Sequence, residues 1–235
     1  MIKKVVSEAV GTALLLATVV GSGIMGERLA AGNVAIALLA NTIATGAGLV
    51  ALILTFGPIS GAHFNPLVTI VDAWEGNRPW GDVPAYIAAQ VFGALLGVAI
   101  AHGMFGEAVF AASQHVRSGS AQLLSEFVAT FGLLSVIWGV SRMSAQFTPF
   151  AVGAYITAAY WFTSSTSFAN PAVTLARSLT NTFSGIRPTD VPGFIGAQVV
   201  GALAATALFR FLVPARNVKA EVPMVDAPTA EKETA

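Results

Sequence analysis

Asn65-Pro66 and Asn170-Pro171 each interrupt a stretch that is otherwise apolar and uncharged. Asn caps a helix and Pro fits its first position, so each pair starts a helix. Starting one inside a hydrophobic run puts a positive helix end and an amide side chain at membrane depth, and here it happens twice. Backbone broken at that depth belongs beside a solvated pore or binding site. The chemistry on offer is hydrogen bonding and electrostatics, not bond making. Two amides can donate to a passing oxygen. The extended residues before each Asn offer carbonyl acceptors: Gly61, Ala62, His63 and Phe64 in one case, Thr166, Ser167 and Phe168 in the other. Each helix end carries roughly half a positive charge and repels cations, hydronium included. Such a lumen suits small neutral polar molecules. A kinked helix pair in an ordinary membrane protein would explain one Asn-Pro, but it is a poor account of two.

The surrounding elements are membrane spans. The chain has 235 residues, 55% hydrophobic and 10% charged, against about a quarter charged in soluble domains. Residues 34–71 and 143–176 contain no charge, and runs of about 20 apolar residues read as spans. Six are expected, near 5–26, 34–56, 84–104, 121–141, 148–165 and 192–213. The run 34–71 is too long for one span, and Gly57-Pro58, Ser60-Gly61 and Asn65-Pro66 punctuate it. About eight to ten helical residues then follow Asn65, roughly half a bilayer, and a second half-helix is expected over 171–181. The fold class is thus an all-α membrane protein, six transmembrane helices plus two re-entrant half-helices. It reads as a single channel domain over 1–214, followed by a disordered cytoplasmic tail over 215–235 that is rich in Ala, Pro, Glu and Lys. The net charge of zero implies no field for nucleic acid. With no Cys, thiolate metal sites and disulfides are excluded.

Three features recur in one order. Ser7-Glu8-Ala9 returns as Ser125-Glu126-Phe127, and Asn65-Pro66-Leu67-Val68-Thr69 as Asn170-Pro171-Ala172-Val173-Thr174. Asp82-Val83-Pro84 with Ala89-Gln90-Val91 returns as Asp190-Val191-Pro192 with Ala197-Gln198-Val199. Repeat one covers about 5–104 and repeat two about 121–213. Each holds three spans, an odd number, so the halves are inverted relative to each other. Lys3, Lys4, Arg78, Arg142, Arg210, Arg216, Lys219 and Lys232 fall on the side of the termini, and Arg28, Arg117, Arg177 and Arg187 on the other. The excess makes both termini cytoplasmic.

The segment Ser60-Gly61-Ala62-His63-Phe64-Asn65-Pro66, with Asn170-Pro171-Ala172 and the paired Glu8 and Glu126, resembles the aquaporin and aquaglyceroporin (major intrinsic protein) family over about residues 5–213. The resemblance implies an hourglass monomer in a homotetramer with one pore per subunit, in a bacterial-type inner (plasma) membrane. It also implies that Glu8 and Glu126 support the two half-helix loops by accepting backbone N–H bonds. Small neutral solutes and the lipid bilayer are the implied partners. No cofactor and no metal is implied, and no enzyme activity.

The departures from the family pattern point to the solute. Leu67 stands where the first motif has Ala, and Val173 where the second continues with Arg. By gapless counting the outer selectivity filter becomes Thr45, Ala158, Ser167 and Val173, small or medium-sized and uncharged. Loss of Arg and His widens such an aperture, which favours glycerol-like polyols and neutral hydroxylated metalloids such as arsenous acid, besides water. It resembles the bacterial aquaglyceroporin branch linked to arsenic resistance. The absence of Cys agrees, because a pore thiol would trap trivalent arsenic. Thr174 replaces the Asp common in glycerol channels, which weighs against glycerol in particular. Proton exclusion is left to the half-helix ends.

Other residues read more plainly. His63 has no second ligand at metal spacing and braces its loop. Arg177 matches Asp72 of the first half. It could replace the missing Arg, but two turns past Asn170 it is expected to lie away from the mouth. Gly93 with Gly97, and Gly201 with Ala197, suit close helix crossings. His102, His115 and Arg117 are expected to be solvated in or near the long connection at 105–120. Three other functions compete with a wide channel for small neutral solutes. One is an ordinary water channel. Another is an ion-coupled transporter, for which Glu8 and Glu126 are the only full-span carboxyls. The third is a membrane enzyme, for which no Gly-x-Ser-x-Gly or His-Glu-x-x-His is present.

Overall fold

The structure is a computed structural model that describes residues 1–212. The expected tail, with Arg216, Lys219 and Lys232, lies outside the described residues. Eight α-helices follow in order: α1 (Ile2–Leu29), α2 (Val34–Ser60), α3 (Pro66–Trp74), α4 (Val83–Phe105), α5 (Ser120–Ser144), α6 (Thr148–Phe162), α7 (Pro171–Arg177) and α8 (Val191–Leu212). Five stretches are long and apolar enough to cross a membrane, and one of them, 120–162, contains both α5 and α6. A 3-10 turn at Ala145–Phe147 folds that pair back on itself. Ser125, near the start of α5, thereby comes within 2.9 Å of Ser164, just past α6. Six long helices and two short ones therefore stand where the sequence expects them.

The short helices point in opposite directions. Past the end of α3, Glu75 binds Arg142 at the end of α5 (2.8 Å) and Arg210 at the end of α8 (2.6 Å). On the opposite side Arg28, at the end of α1, binds the Phe105 carbonyl and Glu107 beyond α4, both at 2.8 Å. His102 of α4 lies 2.8 Å from Thr180, just past α7. So α3, α5 and α8 end on one side and α1, α4 and α7 on the other, as an inverted repeat requires.

Three boundaries are corrected. Helix α2 runs to Ser60 instead of ending near Phe56: Pro58 is tolerated inside it, and Gly61 at φ 94° closes the end by donating to the Gly57 carbonyl. Helix α6 stops at Phe162, short of 165, because Thr163 is extended. Helix α7 stops at Arg177 rather than 181, where three-residue bonds from Ser178 and Leu179 to Leu175 and Ala176 tighten the chain into a turn. The freed Asn181 accepts the Gln114 N–H, which ties the long connection down over α7.

Close crossings hold each half together. A Cβ on Gly93 or Gly97 would overlap the Ala9 or Ala13 carbonyl of α1. At the matching place in the second half, a Cβ on Gly201 would press on the Phe127 carbonyl of α5. Ala9, Ala13 and Phe127 present backbone there, which cannot give way as a side chain tip would. Residues such as Leu124, Phe150 and Phe211 are exposed on the outer surface, which suits a helix face turned to lipid. Gly93→Ala is therefore expected to lower the thermal unfolding midpoint of the detergent-solubilised protein by several degrees, an overpacking cost of about 1–3 kcal/mol. Gly103→Ala, which meets nothing within 4 Å, should leave it unchanged. Equal midpoints for the two variants would contradict the crossing.

Candidate functional site

Asn65 and Asn170 meet in the middle of the bundle. Asn65 Nδ2 donates to the Ala169 carbonyl at 2.8 Å, and Asn170 Nδ2 donates to the Phe64 carbonyl at 2.7 Å. The side-chain oxygens cap their own helices, Asn65 accepting from the Leu67 N–H and Asn170 from those of Ala172 and Val173. Each amide nitrogen carries two hydrogens. One is fixed by the facing loop and the other remains for a solute oxygen. Both asparagines line a cavity of about 320 Å³ that runs from Asp72 and Asn77 at the α3 end to Val173 and Arg177 at the α7 end.

The loops leading to the asparagines are strained. Ala62 (φ 48°) and Phe64 (φ 49°) are left-handed before Asn65, as are Thr166 (60°), Ser167 (51°) and Ala169 (49°) before Asn170. A left-handed residue other than Gly costs about 1–2 kcal/mol. Glu8 and Glu126, both fully buried, hold these loops. Glu8 accepts from the N–H groups of His63 (3.0 Å) and Phe64 (2.8 Å), from the Ser60 hydroxyl (2.6 Å) and from the Gln90 amide (2.8 Å). Glu126 accepts from the N–H groups of Phe168 and Ala169, both at 2.9 Å, and from the Gln198 amide at 2.6 Å. All seven bonds run toward the carboxylates, as acceptor-only groups require.

The sequence reading missed part of this frame. Gln90 also donates to Thr69 (2.9 Å) and Gln198 to Thr174 (2.8 Å), and each Thr donates to the carbonyl of its own Asn. The recurring Ala-Gln-Val, and a Thr four residues after each Asn, were the available signal. Thr174 thus has the same bracing task as Thr69.

Of the four expected filter positions, Thr45, Ser167 and Val173 line the cavity. Ala158 does not: it is exposed on the outside of α6. Gapless counting fails because α6 faces the cavity with Val152, Ile156 and Tyr160, one side of the helix at four-residue spacing. Tyr160 takes the place assigned to Ala158, and its hydroxyl donates to Thr45 Oγ1 at 3.4 Å. Of the expected carbonyl residues, Gly61, Ala62, His63, Phe64, Ser167 and Phe168 line the cavity, joined by Ala169, whereas Thr166 does not.

The two ends differ in charge. At the α3 end Asp72 lies 3.2 Å from Arg78 and 3.4 Å from His63, whose Nδ1 sits 3.0 Å from the Thr69 hydroxyl. At the α7 end Arg177, 2% exposed, donates through Nε to the Ser184 carbonyl and stands 3.4 Å over the Phe168 ring. Arg117 and His102 are buried rather than solvated, while His115 is exposed. Arg117 donates to the carbonyls of Gly185 (2.8 Å) and Ser165 (3.1 Å). Burial pushes its guanidinium down to about 10, with Glu126 and Tyr160 acting the other way, so it stays cationic at neutral pH. Asp190 accepts from the Arg187 side chain and from the Arg117 N–H, both at 2.8 Å.

Two segments of the chain, 1–169 and 141–233, match the model of the major intrinsic protein family. The chain belongs to that family. It is 55% identical over 227 residues to aquaglyceroporin AqpS of Rhizobium meliloti (strain 1021), covering 96% of this chain and 97% of that one. It is 33% identical over 210 residues to aquaporin NIP1-1 of Zea mays, covering 86% and 72%. The aquaglyceroporin of Plasmodium falciparum shares the fold, with a TM-score of 0.67 at 19% identity, over 88% of this chain and 95% of that one. This major intrinsic protein is a membrane channel for small solutes, not an enzyme.

Glu126→Gln places an amide N–H against a backbone donor and leaves one buried group unpaired, at a cost of about 1–3 kcal/mol. It should lower the thermal midpoint in detergent, and Glu8→Gln should do the same. A midpoint unchanged in both variants would contradict the supporting role.

Proposed function

We propose that the channel passes small neutral hydroxylated solutes: glycerol-like polyols, arsenous acid and related neutral metalloids, with water. The observation that carries this reading is Val173, an uncharged side chain three residues past Asn170 that lines the same cavity as the hydrogen-bonded Thr45 and Tyr160. With no charge at that level, a solute need not pass a fixed cation at the narrow zone formed by Thr45, Tyr160, Ser167 and Val173. Tyr160 in place of Ala158 makes the zone tighter than expected and gives it two characters, a ring face and hydroxyl groups. The whole cavity has the same division. Asn65, Asn170 and the loop backbone form a polar strip, while Leu15, Leu49, Ile53, Leu133 and Ile156 form apolar walls. A polyol presents O–H groups to one side and C–H groups to the other, so it matches both. The neutral trihydroxy form of arsenic(III) offers similar hydrogen bonding.

The excess of basic residues on the side of the termini supports a cytoplasmic position for both, with the α3 end opening inward and the α7 end outward. The site of action is the plasma membrane and the assembly a homotetramer, one passage per subunit, with 1–214 as the channel domain.

Stopped-flow measurements on proteoliposomes test the solute class. Val173→Arg should cut glycerol and arsenite permeability by about tenfold or more, and water permeability much less. Equal reductions for all three, or unchanged glycerol and arsenite flux, would overturn the assignment of Val173 to the filter.

A further inference from the structure

The seventh residue after each Asn lines the cavity near its end, Asp72 at one mouth and Arg177 at the other. Asp72 is neutralised by Arg78 at 3.2 Å. Arg177 has no carboxylate partner among the described residues. Its Nε is spent on the Ser184 carbonyl, and its terminal nitrogens make no hydrogen bond among the described residues. Phe168 stacks beneath the guanidinium plane at 3.4 Å, and Phe168 is itself fixed edge-on by Phe194 at 5.2 Å. The fork is thus held in place while its outer N–H groups reach the cavity. Arg117, which also lies over Phe168 at 5.1 Å, adds a second positive charge nearby but spends its donors on loop carbonyls. A buried cation without a counter-ion is costly. A planar guanidinium with free N–H groups is geometrically matched to two oxygens of an oxyanion.

We infer that Arg177 forms an oxyanion-binding subsite at the α7 mouth, one helical turn beyond Val173, taking small tetrahedral or carboxylate-type anions. An anion held there stands in the path of neutral solutes and slows them. Val173 and Arg177, four residues apart, share one face of α7, so a bound anion sits directly outside the narrow zone. The inference rests on the reading of this cavity as the solute passage.

Glycerol flux into wild-type proteoliposomes is measured at neutral pH with inorganic phosphate on both sides, against chloride at matched ionic strength. Phosphate is expected to lower glycerol permeability by about threefold or more, with a half-effect in the millimolar range, as suits a single charge-assisted site. Arg177→Gln should abolish the phosphate effect while still passing glycerol. Arg177→Lys, which keeps the charge without the fork, should retain a weaker effect and serves if the Gln variant does not assemble. Glycerol flux in wild type that is indifferent to phosphate overturns the subsite but leaves the channel reading intact. Phosphate inhibition that persists in full in Arg177→Gln or Arg177→Lys overturns it as well. Absence of glycerol flux altogether would instead contradict the channel reading.

Discussion

Two short pieces of strained backbone must be held open in a medium that offers no water, and the rest of the molecule follows from that requirement. Left-handed residues at Ala62, Phe64, Ser167 and Ala169 turn the loops so that each Asn reaches the opposite loop's carbonyl. In lipid the freed N–H groups would cost several kcal/mol each. Buried carboxylates meet them, Glu8 on α1 and Glu126 on α5, steadied by Gln90 on α4 and Gln198 on α8. The carboxylates reach the loops only because α1 lies close on α4, and α5 on α8, at the glycine crossings. Charge, strain and close packing are therefore one device, built twice.

The device is nearly symmetric, and function enters where the symmetry breaks. At the centre the two asparagines are equivalent. Toward the α3 end the charges of Asp72 and Arg78 cancel, with His63 beside them. Toward the α7 end the loop after α4 folds over α7 through Ser113, Gln114 and Arg117, and positive charge gathers without carboxylates aimed at the cavity. The cavity between the asparagines therefore has ends that differ electrically, while Thr45, Tyr160, Ser167 and Val173 along it carry no charge.

Much of this was legible in the sequence. Asn-Pro in an uncharged run fixes the half-helix starts by local capping chemistry, and the order Glu, Asn-Pro, Gln repeats in both halves, so fold and midplane could be read directly. What was not legible depended on helix phase and loop path. The position of Ala158 came from counting along the chain, and α6 turns that methyl outward and brings Tyr160 in. Arg177 looked remote because distance was counted from Asn170. Its long side chain instead runs along the same helix face as Val173 and stacks on Phe168. Arg117 looked solvated in a loop, yet the turn after α7 buries it. Local motifs read well because their hydrogen bonds are local, whereas long side chains are placed by partners distant in sequence.

If the paired asparagines mark an open passage and not an alternating-access site, solute flux needs neither a conformational cycle nor a coupling ion. Initial glycerol flux through the purified wild-type chain in liposomes, followed over a wide range of gradients, tests it most directly. An open passage gives flux proportional to the glycerol gradient and unaffected when proton and sodium gradients are collapsed. Flux that saturates at low glycerol and requires either ion gradient would contradict it.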